Sequence, residues 1–313
     1  MSGPHVLMAD PMMDSVVEAL RPDFILHDLT AAADKDALLD EVGGEVRGLL
    51  TAGGKGAPKS VLDRLPKLQM ISSFGVGYDG LDLGYCRERG LRVTNTPDVL
   101  NDAMAETTLG LMIALAREIP QADAYVRSGR WSEANYKLTA ELTGKTLGIV
   151  GLGRIGKEVA RRAQAFKMQV VYHGRHEQPF EPYRYYADLV EMAQAADWLV
   201  NITPGGAATD KMLGGAVFDA LGEEGYLVNV GRGSTVDEAA LIAALSEGRI
   251  AGAALDVFED EPHVPEALRT MQNVVLSPHQ GSATRKTRWM MGDLVVRNLK
   301  AHFAGDPLIT PVA

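Results

Sequence analysis

The sequence predicts an α/β protein of two doubly wound domains, each with a parallel sheet covered by helices on both faces. Short apolar runs rich in β-forming residues alternate with helical patterns along the chain, and alternating βα units imply a parallel sheet. Midway, one apolar run leads into Gly151, Gly153 and Gly156 at GxGxxG spacing, and a helical pattern follows. The 313 residues are enough for two such domains, each with its own core.

The composition narrows the classes of partner. A formal net charge of -10 argues against a nucleic acid or an anionic membrane as the ligand. No apolar run approaches the roughly 18 residues that a membrane span needs, and the first residues lack a basic-then-apolar leader pattern. Cys86 is the only cysteine, so an intrachain disulfide is impossible, and we expect it to be a packing residue in a helix. These features favour a cytoplasmic protein that binds small molecules.

In the first part of the chain, five short strands alternate with helices. The strands are predicted at residues 5–9, 24–27, 46–50, 68–72 and 91–94, with helices between them such as 12–20 and 35–42. The fourth strand runs into Ser73-Phe74-Gly75-Val76-Gly77-Tyr78-Asp79. Its glycines either expose backbone N–H groups that hold a carboxylate or form an ordinary flexible turn, and this stretch alone does not decide between the two.

The second domain is predicted to begin after Thr96-Pro97-Asp98, which breaks the pattern. Asn101 or Asp102 is suited to cap a long helix that follows. A last helix, at residues 284–302, is expected to return and cover the first domain, which is then discontinuous. The predicted boundaries are 1–100 with 284–313 for the first domain and 101–283 for the second.

An irregular arm at residues 131–142 follows the long helix. It carries Trp131 and Tyr136, for which the pattern offers no core. We expect these aromatic side chains to be exposed and the arm to cover a partner subunit in a homodimer.

The glycine turn carries the first functional prediction. Gly151 allows the tight strand-to-helix turn, Gly153 lets the backbone approach a pyrophosphate, and Gly156 lets helix and strand pack closely. The strand at 146–150 and the helix after the glycines supply the context that distinguishes a dinucleotide site from a chance glycine turn. The phosphates would lie at the helix N-terminus.

The residues after the next strand predict which dinucleotide binds. An acid usually stands there, about 20 residues after the motif, and holds the ribose hydroxyls of NAD. This chain has Gly174 instead, followed by Arg175 and His176. A nearby arginine is the feature that accommodates the 2′-phosphate of NADP. We therefore expect NADPH to be preferred and NADH to remain possible, although Arg175 alone is also compatible with a solvated turn.

Four more strands are predicted to end at the same edge as the glycine turn. They lie at residues 198–203, 226–230, 250–255 and 274–276. Arg232, Glu261 and His279 follow three of them. Each alone suits an ordinary structural position, as a solvated arginine, a surface carboxylate or a packed histidine.

Together, Arg232, Glu261 and His279 form a coherent device for reducing a 2-keto acid. Arginine offers two planar donors to a carboxylate, and a histidine can give the keto oxygen its proton near neutral pH. A carboxylate on the other imidazole nitrogen fixes the tautomer and favours the protonated ring. The hydride itself belongs to a nicotinamide. No metal site is predicted.

At this point the chain resembles the D-isomer-specific 2-hydroxyacid dehydrogenases over nearly its whole length. Within that family it is most similar to the glyoxylate/hydroxypyruvate reductases and the hydroxyphenylpyruvate reductases. The stretches that carry the resemblance are Gly75-Val76-Gly77, Val150-Gly151-Leu152-Gly153-Arg154-Ile155-Gly156, Asn229-Val230-Gly231-Arg232-Gly233, Leu255-Asp256-Val257-Phe258-Glu259-Asp260-Glu261-Pro262 and Pro278-His279-Gln280-Gly281-Ser282-Ala283-Thr284.

The resemblance implies a flavodoxin-like substrate-binding domain, a Rossmann cofactor domain and a homodimer paired through the cofactor domains. It implies that Arg232 binds substrate, that His279 is the acid/base and that Glu261 is its partner. It also implies substrate contacts from the backbone of Val76 and Gly77. The residues that it adds to the cofactor site are Val76, Arg154, Ile155, Thr203, Pro204, Val230, Asp256 and Gly281, with Asp256 facing the carboxamide.

Two residues depart from the family pattern, and two other functions stay open. Gln280 replaces a usual aliphatic residue beside His279, and Lys167 replaces a common glycine.

The leading hypothesis is an NADPH-preferring reductase of glyoxylate, hydroxypyruvate or a similar 2-keto acid. The alternatives are a dehydrogenase of a bulkier 2-hydroxy acid and a dinucleotide-sensing corepressor. The chain ends just after the return helix, without the regulatory domain or disordered tail expected of biosynthetic relatives or corepressors.

Overall fold

A computed structural model describes residues 3–312 of the chain. Contacts divide the chain into two compact units. The first unit runs to Leu100 and resumes at Ala283, and the second unit is Asn101–Ser282. The return to the first unit therefore comes one residue earlier than the sequence placed it.

The first unit is built on a five-stranded parallel sheet. Its strand order is β2-β1-β3-β4-β5, which is the flavodoxin-like order predicted for this domain. The strands are β1 His5–Met8, β2 Ile25–Asp28, β3 Val46–Ala52, β4 Met70–Phe74 and β5 Arg92–Thr94. All pairings are parallel, so the loops after these strands share one edge.

Helices cover both faces of the first sheet. They are α1 Asp14–Leu20, α2 Lys35–Val42, α3 Lys59–Leu62, α4 Leu83–Glu88 and, after the second unit, α12 Arg285–Ala304. On one face Val6, Leu50 and Met70 pack with Val295 and Leu299 of α12. The return helix thus covers the first sheet, and burying its apolar side accounts for the discontinuous domain. Cys86, on α4, is fully buried in the opposite core, as a packing residue.

The second unit is built on a seven-stranded parallel sheet of order β12-β11-β10-β9-β6-β7-β8. This is the Rossmann order with one extra strand, which confirms the predicted fold class. The strands are β6 Thr146–Val150, β7 Gln169–His173, β8 Arg184–Tyr186, β9 Trp198–Asn201, β10 Tyr226–Asn229, β11 Gly252–Leu255 and β12 Val274–Leu276. Buried on both faces, β6, β9, β10 and β11 consist almost wholly of apolar or small residues.

The sequence did not predict β8. It holds only Arg-Tyr-Tyr, lies at the sheet edge and is half-buried. It pairs in register with β7, Tyr172 opposite Tyr185 and His173 opposite Tyr186. Pairing with a neighbouring strand and aromatic contacts, rather than a local apolar pattern, make it a strand.

The helices of the second unit are α5 Asn101–Ala116, α6 Ile119–Arg127, α7 Arg154–Ala165, α8 Leu189–Gln194, α9 Gly215–Leu221, α10 Glu238–Ser246 and α11 Glu266–Thr270. The long helix predicted after residue 100 is α5, but it begins at Asn101. Asn101 and Asp102 therefore lie within its first turn, and the cap stays a prediction. Asp102 accepts an ion-paired hydrogen bond from Arg162 of α7, at 2.6 Å.

The arm at residues 131–142 is irregular apart from a 3₁₀ turn at Arg130–Ser132. Trp131 is 64% exposed, as predicted. Tyr136 is not: it is half-buried, donates a hydrogen bond to Glu118 at 2.7 Å and packs edge-on against Tyr125. A hydroxyl bond and a neighbouring ring within the same unit thus cover the aromatic side chain for which the sequence pattern offered no core.

Candidate active site

The predicted site residues of the second unit lie in loops that follow the carboxyl ends of its strands. Because all seven strands are parallel, these loops meet at one edge of the sheet. The glycine turn follows β6, Gly174 to His176 follow β7, and Thr203 and Pro204 follow β9. Val230 and Arg232 follow β10, Asp256 follows β11, and His279 and Gly281 follow β12.

The glycine turn fits the phosphates of a dinucleotide. Gly151 adopts a φ of +99°, a conformation that side-chain-bearing residues rarely take. A Cβ on Gly156 would lie 2.5 Å from the carbonyl oxygen of Gly151, so only glycine lets α7 pack this closely on β6. Gly153 precedes α7 without any side-chain cap, and no heavy atom of the described residues lies within 4 Å of its Cβ position. A helix N-terminus that follows such a glycine is suited to bind an anion.

The loop after β7 leaves space where an acid would hold a ribose. No heavy atom lies within 4 Å of a Cβ built on Gly174. Arg175 and His176 are exposed. The described residues include no ion-pair partner of Arg175, so none of them neutralises its guanidinium.

Two buried asparagines fix the loop that carries Arg232. Asn201 ends β9 and Asn229 ends β10, and neither is more than 1% exposed. The amide of Asn229 accepts from Asn201 at 2.9 Å and from the N–H of Gly231 at 3.1 Å, and donates to the carbonyl of Arg232 at 3.0 Å. Thr235 completes the network by donating to that same carbonyl at 2.5 Å.

The same network reaches the loop after β9. The side-chain oxygen Oδ1 of Asn201 accepts from the hydroxyl of Thr203 at 2.7 Å and from its N–H at 3.3 Å. The side chain of Asn201 thus joins the loop after β9 to the loop that carries Arg232. The sequence analysis assigned no role to either asparagine. The signal was a polar residue at the last position of two otherwise apolar strands.

Asp256 holds the loop that carries His279. It is fully buried, and its carboxylate accepts from the hydroxyl of Ser277 at 2.6 Å and from the N–H groups of Gln280 and Gly281, both at 2.9 Å. Its carbonyl accepts from the N–H of His279 at 2.8 Å. These bonds stabilise His279 at a φ of +49°, an uncommon conformation for a residue other than glycine.

His279 and Glu261 form a close pair. Nδ1 of His279 lies 2.7 Å from Oε2 of Glu261, and Oε1 accepts from the N–H of Phe258 at 3.0 Å. Burial alone would raise the pKa of Glu261, but the hydrogen bond and charge of His279 outweigh it. Phe258 and the charge of Arg232 act in the same direction, so the pKa of Glu261 lies below its ordinary value. With Nδ1 engaged, His279 has Nε2 for a ligand, and its side chain is 49% exposed.

The structure therefore brings Arg232, Glu261 and His279 together within the second unit. Arg232 is close enough to Glu261 for its charge to act on that carboxylate, and its Nη1 donates to the carbonyl of Gly231 at 2.9 Å. A cation, a half-exposed imidazole and the carboxylate that orients it form a site for binding an anion and transferring a proton.

The turn with Val76 and Gly77 lies in the first unit and is held by its surroundings. Gly75 N–H donates to Thr96 Oγ1 at 3.0 Å, and Asn95 Nδ2 donates to the carbonyl of Val76 at 2.8 Å. A Cβ on Gly53 would lie 2.4 Å from the carbonyl oxygen of Gly77, so only glycine fits beside this turn. These contacts argue against the ordinary flexible turn, one of the two sequence-based interpretations. That the backbone N–H groups hold a carboxylate stays a prediction.

Within residues 3–312, no group of three or more His, Cys, Asp or Glu side chains is arranged to hold a metal ion. None of the helices in that range is long and apolar enough to cross a membrane.

Comparison with known proteins identifies the family. Residues 109–281 match the family model described as "D-isomer specific 2-hydroxyacid dehydrogenase, NAD binding domain". The chain is 47% identical to glyoxylate/hydroxypyruvate reductase A of Arabidopsis thaliana and to hydroxyphenylpyruvate reductase of Plectranthus scutellarioides, over 98% of each chain.

A solved structure is similar over the full length. The NADPH-dependent glyoxylate/hydroxypyruvate reductase of Sinorhizobium meliloti, in complex with NADP and malonate, is 44% identical with a TM-score of 0.95, covering 100% of this chain and 97% of that one. The agreement of family model, curated relatives and structure leads to one conclusion: this chain belongs to the D-isomer specific 2-hydroxyacid dehydrogenase family.

Proposed function

We propose that this protein is an NADP-preferring 2-hydroxyacid dehydrogenase that reduces a small 2-keto acid, of the glyoxylate or hydroxypyruvate type, to the D-2-hydroxy acid. The observation that carries the proposal is the His279–Glu261 pair, at 2.7 Å, beside Arg232 at the carboxyl edge that also holds the glycine turn. The substrate class and the cofactor in this proposal are supported by relatives named glyoxylate/hydroxypyruvate reductase, one of them described as NADPH-dependent.

Each residue of the pair and its neighbour has a defined task. Arg232 binds the substrate carboxylate through its planar donors. Nε2 of His279 donates a proton to the keto oxygen as negative charge develops there. Glu261 accepts a hydrogen bond from Nδ1 of His279, which fixes the tautomer and the orientation of the imidazole. The substrate contacts of the backbone of Val76 and Gly77, in the first unit, stay a prediction.

The second unit would hold the cofactor, and its nicotinamide supplies the hydride. The pyrophosphate would lie against Gly151 and Gly153 at the N-terminus of α7. Arg175 would bind the 2′-phosphate, because Gly174 leaves space and adds no negative charge. The remaining predicted lining residues are Arg154, Ile155, Gly156, His176, Thr203, Pro204, Val230 and Gly281. Asp256 holds the His279 loop, and its contact with the carboxamide stays a prediction.

The test is NADPH oxidation at 340 nm with glyoxylate, hydroxypyruvate and phenylpyruvate. We expect turnover of one of the two small acids, and His279→Ala should lower kcat by about 10²–10⁴ with cofactor binding almost unchanged. His263→Ala is the matched control, since His263 is an exposed histidine of the same unit. No turnover of any keto acid, or wild-type rates in His279→Ala, would refute the proposal.

We also propose a homodimer in the cytoplasm. Four large apolar side chains of the second unit are exposed between residues 119 and 138: Ile119, Val126, Trp131 and Leu138. An exposed apolar surface of this kind marks an interface. Trp131→Glu with Leu138→Glu should lower the mass by light scattering from dimer to monomer, and Trp289→Glu on α12 should leave it unchanged. A monomeric wild-type protein would exclude the dimer.

The buried thiol of Cys86, whose pKa burial raises, suits a reducing compartment.

A further inference from the structure

The three residues 175–177 lie between two points that are held by tyrosine hydroxyls. On one side, Tyr185 of β8 donates a hydrogen bond to the carbonyl oxygen of Gly174 at 3.1 Å. On the other, the N–H of Gln178 donates to the hydroxyl of Tyr172 on β7 at 2.6 Å. The two rings are neighbours, with centroids 5.3 Å apart. Tyr172 is fully buried, so its hydroxyl has a fixed position in the core.

The same loop is tied to the glycine turn and to the helix after it. Nε2 of Gln178 donates to the carbonyl oxygen of Leu152, within the glycine turn, at 2.6 Å. Three residues further on, Glu181 pairs with Lys157 of α7 at 2.8 Å. The segment with Arg175 therefore has a defined position relative to the phosphate-binding end of α7, although its own side chains at 175–177 are exposed.

We propose that Tyr172 and Tyr185 are positioning residues for cofactor selection: their hydroxyls fix both ends of the segment 174–178 and so pre-arrange Arg175 for an adenosine 2′-phosphate. The inference rests on the proposed NADP preference and deepens it. Neither hydroxyl needs to touch the cofactor. A guanidinium on an ordered segment loses less conformational freedom on binding, so the ordering raises affinity for the 2′-phosphate alone.

The experiment measures binding without turnover. Titration calorimetry gives the Kd of adenosine 2′,5′-bisphosphate, which carries the 2′-phosphate, and of 5′-AMP, which lacks it. Tyr185→Phe keeps the ring and removes one hydrogen bond, and Tyr172→Phe does the same at the other end. We expect each variant to weaken bisphosphate binding by about 3–10-fold and to change the Kd of 5′-AMP less than about twofold.

Two further variants make the test specific. Tyr183→Phe is the matched control, because its hydroxyl bonds Gln164 of α7, at 3.3 Å, outside the segment 174–178. It should leave both dissociation constants unchanged. In an Arg175→Ala background, Tyr185→Phe should have no further effect on bisphosphate binding, because the tyrosine acts through Arg175.

The outcomes separate this inference from the proposed function. Equal binding of both probes by the wild-type protein would refute the NADP preference and, with it, this inference. If the wild-type protein prefers the bisphosphate and this preference is as large in Tyr185→Phe and Tyr172→Phe, the inference alone would be overturned. Equal weakening of both probes, or additive effects of Tyr185→Phe and Arg175→Ala, would also overturn it. Tyr185 is only half-buried, so Tyr185→Phe keeps the test valid if Tyr172→Phe does not fold.

Discussion

Replacing Asn229 with alanine should both destabilise the second unit and impair substrate binding. The change removes three hydrogen bonds at a position that is 1% exposed, namely those with Asn201, Gly231 and Arg232. Asn201 and the carbonyl of Arg232 each keep a bond with Thr235. Among the described residues, the N–H of Gly231 has no acceptor other than Asn229, so the substitution leaves this buried donor unpaired.

The magnitude follows from these contacts. A net cost of about 1 kcal/mol for each lost bond gives a decrease of about 3 kcal/mol in the free energy of unfolding. For a unit of this size, that corresponds to a Tm lower by about 6–12 °C. Because the carbonyl of Arg232 loses one of its three hydrogen bonds, with only those from the hydroxyl and N–H of Thr235 remaining, the guanidinium is held less firmly. We expect KM for the keto acid to rise at least about tenfold at a temperature where the variant is folded.

The assays are thermal unfolding by circular dichroism and steady-state kinetics well below the variant's Tm. Asn273→Ala is the matched control. Asn273 lies just before β12, at the opposite edge of the sheet, and makes one long bond with the carbonyl of Leu245, at 3.4 Å. Asn273→Ala should lower the free energy of unfolding by less than about 1 kcal/mol and leave KM for the keto acid unchanged. An Asn229→Ala protein as stable as the control, with an unchanged KM, would show that the network does not support Arg232.

Three other variants test the site directly. Glu261→Gln should lower kcat for reduction, because a neutral amide holds Nδ1 of His279 less firmly than the carboxylate does. Burial alone would raise the pKa of Glu261, but the hydrogen bond and charge of His279 outweigh it and hold that pKa below its ordinary value. The carboxylate of Glu261 stabilises the folded protein at pH values above its ordinary pKa, and this stabilisation is lost as the pH falls through its lowered pKa. Glu261→Gln has no such carboxylate, so its free energy of unfolding, measured by urea titration, should lack this decrease at acid pH. Arg232→Lys should raise KM and lower kcat with little change in Tm, because it keeps the charge and loses the planar fork; parallel losses of stability and activity would indicate a structural arginine. Gly174→Asp with Arg175→Ile should reverse a preference for NADPH of about tenfold or more, since the Cβ position at 174 is open. Wild-type protein that uses NADH as well as NADPH would contradict that prediction.

The order of strands and helices could be predicted because its signals are local. An apolar run such as Thr146–Val150 and the glycines after it specify strand, turn and helix without reference to the rest of the chain. The strand β8 and the packing of Tyr136 could not be predicted in this way. Both depend on partners, β7 and Glu118, that only the folded chain brings near.

In the candidate site, too, some residues could be predicted from the sequence and others could not. Arg232, Glu261 and His279 could be chosen from their chemistry and from the strand ends that precede them. The residues that hold their loops could not, because the bonds of Asn229 and Asp256 are made to backbone atoms whose positions the sequence does not state.

A common physical reason explains why those supporting residues stand where they do. In a parallel sheet buried on both faces, the last residue of a strand, or the one after it, is still inside the core while the chain is about to leave it. A polar side chain there is deprived of water and must bond to whatever backbone surrounds it, since each buried group left unpaired costs about 1–3 kcal/mol. Asn201, Asn229 and Asp256 occupy these positions after three adjacent strands, β9, β10 and β11, and each bonds to the loop beyond its own strand or the next one. The desolvation that makes such residues costly also makes their bonds hard to break. It therefore follows that the loops at this edge are fixed before any ligand arrives, and that a cation and an imidazole can be held in working geometry on segments that carry no regular secondary structure.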